Sequence, residues 1–171
     1  KRRSFSEVRA RETEEVLSVV ESLRKYDSMV VLGAPGSGKT TFMRYLALTF
    51  AQKLSHERLE LDEDRLPILI TIRDVAKELS SGKTIADALT KQINSELQLD
   101  LPDEYFKPYL EAGRCIVLFD GLDEVADVHE RGEVARKVQL FVNLYKGNRY
   151  IITSRIAGYR EIQRFPEDDF A

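Results

Sequence analysis

This sequence has little with which to staple itself. Of 171 residues one is cysteine, two are histidine, two are methionine and none is tryptophan. A single Cys115 excludes an internal disulfide, and without a Cys/His cluster there is no framework for a transition metal. Cys115 lies in an apolar stretch and reads as a small buried residue rather than a catalytic thiol. His56 and His129 sit in polar surroundings and are expected to face solvent. Charge of one sign is missing too: 26 Lys and Arg stand against 29 Asp and Glu, a net charge of −3. Such a chain has no field that gathers nucleic acid, and no direct nucleic-acid binding is expected of it. No apolar run approaches a membrane span and no signal pattern opens the chain, so a cytoplasmic location is expected. There is no internal repeat and no low-complexity segment. A single domain of this length buries roughly 70% of its unfolded surface, enough to fold unaided.

What the chain does have is Gly33-Ala34-Pro35-Gly36-Ser37-Gly38-Lys39-Thr40. It follows the apolar run Met29-Val30-Val31-Leu32 and leads into an amphipathic segment from Thr41, a strand, loop and helix in order. The spacing G-x-x-x-x-G-K-T lets backbone N–H groups wrap a phosphate chain, because glycine tolerates both the φ > 0 turns and the close approach of anionic oxygens. The helix then turns its positive N-terminal end toward the same phosphates. Gly33 through Thr41 are therefore candidates for binding phosphate. Lys39 reaches the β- and γ-phosphates as a point charge, and the Thr40 hydroxyl is a candidate ligand for Mg²⁺.

The remaining chain alternates. Val16, Val19, Val20 and Leu23 place an apolar stripe on a helix over 12–26, and Lys1, Arg2, Arg3, Arg9 and Arg11 make a basic start that reads as a solvated linker. Residues 5–9 are a candidate for contact with a nucleotide base. After the loop, Met43, Leu46, Ala47, Phe50 and Leu54 continue a helix. Residues 68–72 are nearly all apolar and predict a covered parallel strand that ends at Arg73-Asp74. Thr84 and Asp87 resemble a capping box ahead of Ile85, Leu89, Ile93 and Leu97. Pro102 suits the first position of a helix that Pro108 would kink or divide. Residues 115–119 form a third strand, a helix carrying Val134, Val138, Phe141, Val142 and Tyr145 follows, and 150–153 form a fourth. Gly158 and Pro166 then interrupt the pattern and the acidic tail 167–169 trails off. Strands alternating with helices imply right-handed crossovers and a parallel sheet between helical layers, with ligands beyond the carboxyl ends of the strands.

Each of those ends is polar. Asp120, directly after four apolar residues, is placed to hold Mg²⁺ through water, though an Asp before Gly121 also suits a turn. Asp123 and Glu124 follow, where a carboxylate can orient or deprotonate an attacking water; sequence does not rank the two. Arg155 offers a guanidinium fork that distinguishes triphosphate from diphosphate, with a surface ion pair as the alternative. Arg73 has a lesser claim, and an ion pair with a neighbouring acid explains it equally well.

The loop GAPGSGKT, the segment LPILITIRDV, the strand and acidic cluster CIVLFDGLDE and the strand RYIITSR together resemble a NACHT domain. The resemblance runs from Val30 to Arg155, and RIAGYRE beyond it is like the bacterial sequences of the family. It implies an α/β fold, the P-loop NTPase three-layer sandwich with a mainly parallel sheet flanked by helices, the lid and winged-helix segments missing. Residues 1–27 would lead into a nucleotide-binding core over 28–171, excised from a longer chain. The resemblance further implies ATP or ADP with Mg²⁺, Lys39 and Thr40 on phosphate and metal, Asp120 as the metal acid, Asp123 and Glu124 as hydrolytic acids, and Arg155 as sensor. Such proteins are signalling switches: nucleotide exchange licenses self-oligomerisation when a fused sensor domain detects a trigger, in innate immunity, cell death or antiviral defence. The rival readings are an AAA-like ATPase or P-loop kinase, in which turnover is the product, and a scaffold that binds nucleotide for stability alone.

Overall fold

The structure is a computed structural model that describes residues 18–162 together with 165, 166 and 170. Its elements run α1 (Val19–Lys25), β1 (Ser28–Leu32), α2 (Lys39–Ala51), α3 (Ser55–Leu59), β2 (Leu66–Thr71), α4 (Ile72–Ser80), α5 (Ile85–Leu97), α6 (Lys107–Glu111), β3 (Cys115–Asp120), a 3₁₀ turn (Leu122–Glu124), α7 (Val128–Leu144), β4 (Arg149–Ser154) and α8 (Ile156–Arg160). The four strands form one sheet in the order β1-β4-β3-β2, every neighbouring pair parallel. This is the parallel sheet flanked by helices that the alternating pattern predicts.

Strand periodicity divides the core in two. In β3, Cys115, Val117 and Phe119 face one side while Ile116 and Leu118 face the other; in β4, Tyr150 and Ile152 oppose Ile151. The first side packs against α4, α5, α7 and α8 through Val75, Leu79, Leu89, Val134, Val138, Phe141 and Tyr159. The second packs against α1, α2 and α3 through Leu23, Met43, Leu46, Phe50 and Leu59. Every residue of β3 and β4 is buried, as strands covered on both faces require.

Five local readings are corrected. Ile72 is not the last residue of β2 but the first of α4, whose Ile72, Val75, Ala76 and Leu79 repeat at helical spacing and are all buried. The run of five apolar residues hid the change of period. Pro102 lies in a loop, and Pro108 occupies the first turn of α6, where its missing N–H costs nothing, so it opens that helix rather than kinking it. Leu54 falls beyond α2, which stops at Ala51. Gly158 sits inside α8 instead of interrupting the chain. The predicted helix over 12–26 is described from Val19 onward; its earlier part, residues 5–9 and the tail 167–169 lie outside the described residues. The capping box at Thr84 and Asp87 is present as expected.

Candidate functional site

Parallel pairing brings all four carboxyl ends to one edge. Leu32 pairs with Ser154, and the ladder runs on as the Gly33 N–H donates to the Ser154 carbonyl at 3.2 Å. The loop then turns through Gly36 at φ +74° and Gly38 at φ +87°, conformations that L side chains rarely adopt. A Cβ at Gly33 would stand 2.5 Å from Ser37 Oγ, so a larger residue there would require the Ser37 hydroxyl to turn away. Ser18, Thr84 and Asp127 cap α1, α5 and α7 with their side chains, whereas α2 begins after Gly38 with no side-chain cap. Its first N–H groups are left for something else. Lys39 is folded over its own loop, donating from Nζ to the carbonyls of Gly33 at 2.9 Å and Ala34 at 3.0 Å.

Opposite the loop stand the ends of β3 and β4. Asp120 is buried, and its Oδ1 accepts from the Thr153 hydroxyl at 2.6 Å while that hydroxyl accepts from the Gly121 N–H at 2.9 Å. The carboxylate is thereby fixed through one oxygen. Asp123, on the 3₁₀ turn, receives the Arg155 backbone N–H on Oδ1 at 2.7 Å and the Arg155 Nε on Oδ2 at 2.9 Å. Glu124 is half-exposed and pairs with Arg73 Nη1 at 3.3 Å; Arg73 also lies 3.5 Å from Asp74. Arg73 thus makes the ion pair that was one of its two readings. Residues 35–41 and Asp120, Asp123, Glu124, Thr153 and Arg155 line a single cleft of about 270 Å³.

The description of a NACHT domain fits residues 27–169 of this sequence. The chain belongs to the NACHT family. NACHT domains are P-loop NTPases of the signalling type, and the parallel sheet with its glycine loop is that fold. The NACHT domain is also 31% identical over 139 residues to an uncharacterized WD repeat-containing protein of Nostoc sp., a match covering 80% of this chain. It spans 8% of that relative's length. No solved structure matches the chain.

Within this NACHT domain the structure gathers Pro35, Gly36, Ser37, Gly38, Lys39, Thr40, Thr41, Asp120, Asp123, Glu124 and Arg155 around the cleft, and sets Gly33 and Ala34 behind it, where they accept from Lys39. Sequence reasoning gave Thr153 no role, although a hydroxyl ending the strand beside the acidic one was a usable signal. Larger hollows of about 430 and 330 Å³ lie along α7, but neither touches the glycine loop or Asp120. Cys115 is fully buried and burial pushes its thiol up to about 11, so it carries no thiolate chemistry at neutral pH. Both His56 and His129 are exposed as expected.

Proposed function

We propose that this domain is the ATP-binding, slowly hydrolysing switch of a longer signalling protein, its nucleotide state governing self-association in defence or cell-death responses. The observation that carries the reading is the convergence of an uncapped helix start, Lys39, Thr40, Asp120, a pair of further acids and Arg155 on one cleft. Backbone N–H groups of residues 36–40 would hold the phosphates, and Lys39 would exchange its loop carbonyls for phosphate oxygens. The chemistry of the donor set fits Mg²⁺: Asp120 has one oxygen held by Thr153 and the other without a protein partner among the described residues, and Thr40 lies across the cleft. No group of three or more His, Cys, Asp or Glu side chains that could hold a metal occurs among the described residues, so Thr40 and Asp120 would hold the ion together with phosphate oxygens and waters, as Mg²⁺ prefers. Bound there, it would neutralise charge on the transferring phosphoryl group.

Of Asp123 and Glu124, one would orient the attacking water, and Arg155 would report the γ-phosphate. A two-state device needs a contact that exists with only one nucleotide, and a guanidinium at the cleft supplies it. The reading takes 28–171 as the nucleotide-binding unit, 1–27 as the segment leading into it, a cytoplasmic setting, and fused sensor and effector domains; the WD repeats named in the Nostoc relative support the sensor. No helix among the described residues is long and apolar enough to cross a membrane.

The test is calorimetric titration of the full-length protein with ATP, ADP and GTP in Mg²⁺, beside Lys39→Ala, with mass by light scattering in each nucleotide. Adenine-selective binding lost in the variant, and assembly in ATP but not ADP, is the expected result. Rapid turnover without assembly would instead favour the dedicated ATPase.

A further inference from the structure

We propose that Asp123 is a positioning residue for Arg155, and that Glu124 alone is the carboxylate facing the attacking water. The inference rests on reading the cleft as a triphosphate-hydrolysing site and divides labour between two acids that adjoin in sequence. Asp123 grips one residue at two points: Oδ1 takes the backbone N–H of Arg155 and Oδ2 takes its Nε. A carboxylate that bridges an arginine's own main chain and its Nε closes a ring around the side-chain stem, so the guanidinium loses most of its rotamer freedom before any ligand arrives. Neither Nη of Arg155 has a partner among the described residues, and Arg155 lines the cleft with its side chain half exposed. The fork is held at its base and open at its tips, the arrangement a phosphate contact requires.

Asp123 is poorly suited to the other task. Each oxygen keeps a second lone pair, but the side chain is only 8% exposed, which leaves little room for a water. Its position is fixed from behind as well. A Cβ on Gly158 would lie 2.6 Å from Asp123 Cβ, so α8 packs directly on the turn. Arg131, buried on α7, donates to the Val125 carbonyl from Nε at 3.0 Å and from Nη2 at 2.8 Å, and pairs with Glu161 at 2.6 Å, tying the end of the turn to the chain beyond α8. Glu124 differs on every count. Its side chain is 37% exposed and its one ion pair, with Arg73, is long at 3.3 Å. A carboxylate with an uncommitted oxygen in the cleft is able to accept a hydrogen bond from water.

The experiment uses the full-length protein carrying Asp123→Asn, Arg155→Ala, the double variant, Glu124→Gln and Lys39→Ala, each checked by circular dichroism and thermal melting. ATP and ADP affinities are measured by calorimetry and turnover by phosphate release. If Asp123 acts through Arg155, Asp123→Asn and Arg155→Ala each reduce the preference for ATP over ADP by about tenfold, and the double variant loses no more than Arg155→Ala alone. Glu124→Gln keeps that preference while turnover falls by about a hundredfold. The proposal is overturned if folded Asp123→Asn retains full ATP preference but loses turnover, or if its loss adds to that of Arg155→Ala. Should Asp123→Asn fail to fold, Arg155→Ala, which leaves the turn intact, decides: unchanged ATP preference there overturns it equally. Retained nucleotide binding in Lys39→Ala would mark a different failure, that of the site itself.

Discussion

The two edges of the sheet treat polar groups in opposite ways. At the amino edge, Arg149 is 4% exposed, yet its guanidinium is saturated: it pairs with Glu63 and Asp27 and donates to the carbonyls of Leu23 and Tyr26. Arg65 pairs with the same Glu63 and donates to the carbonyls of Gly113 and Gly147 at 2.9 and 2.8 Å. Asn148 receives the Cys115 N–H and donates to the carbonyls of Leu110 and Tyr145. At the carboxyl edge Lys39 rests on its own loop carbonyls, Glu124 on one long pair, and the Nη groups of Arg155 on nothing described. Both edges are rich in charge, but one is closed on itself and the other is left open. Charge satisfied by protein stabilises a fold; charge satisfied only in part is available to a ligand.

That contrast can be broken deliberately. The largest effect expected is from Arg149→Ala, which takes the side-chain donor from the Leu23 and Tyr26 carbonyls, leaves Glu63 with Arg65 as its remaining partner and should cost about 3 kcal/mol of stability in urea unfolding, while the protein that remains folded binds nucleotide normally. Lys39→Ala should do the reverse, lowering nucleotide affinity at least about a hundredfold, or about 2.7 kcal/mol, with no change in the urea midpoint. If Lys39→Ala also unfolds the chain, the edges are not separable. Gly158→Ala tests a place where the open edge is closely packed: a Cβ there meets Asp123 Cβ at 2.6 Å. It should cost about 1 to 3 kcal/mol and disturb ATP preference as well, whereas an effect on stability alone would show that the turn moves without consequence.

The smallest effect is a slope against pH. Burial by itself would raise the Glu63 carboxyl, but hydrogen bonds from Arg149 and Arg65 outweigh it and hold the group below its usual 4.5. A carboxyl depressed in the folded state stabilises the protein above the unfolded value, and that contribution disappears as pH falls through the folded one. Melting temperature should therefore drop more steeply in the wild type than in Glu63→Gln as pH falls below about 4.5. Equal slopes would show that the amino-edge network does not couple to protonation.

Sequence revealed whatever was contiguous. The glycine loop, the strand running into Asp120 and the helix behind the Thr84 capping box are each local patterns, and a parallel sheet follows from their alternation. Periodicity failed where two elements met without a gap, so that Ile72 hid the start of α4 within an apolar run. It also failed at Pro108, whose meaning depends on whether the helix begins before it or with it. The ties that distinguish the edges were not legible at all. Glu63 with Arg149, Asp120 with Thr153 and Asp123 with Arg155 join residues 86, 33 and 32 apart, and no local signal marks a partner at such range. Arg73 shows the limit well: a neighbouring acid was foreseen, but its second partner, Glu124, comes from another strand end.

One consequence follows from the order of the strands. β3 and β4 lie inside the sheet with every residue buried, while β1, which leads into the glycine loop, pairs only with β4 among the described residues and ends at an exposed Leu32. In deuterium exchange the amides of the central strands should be the last to label, and those of β1 should label early through local opening. The loop therefore hangs from an edge strand of the sheet. A ligand that fastens it to the ends of β3 and β4 would leave its clearest footprint as slowed labelling along β1, far beyond the atoms it touches.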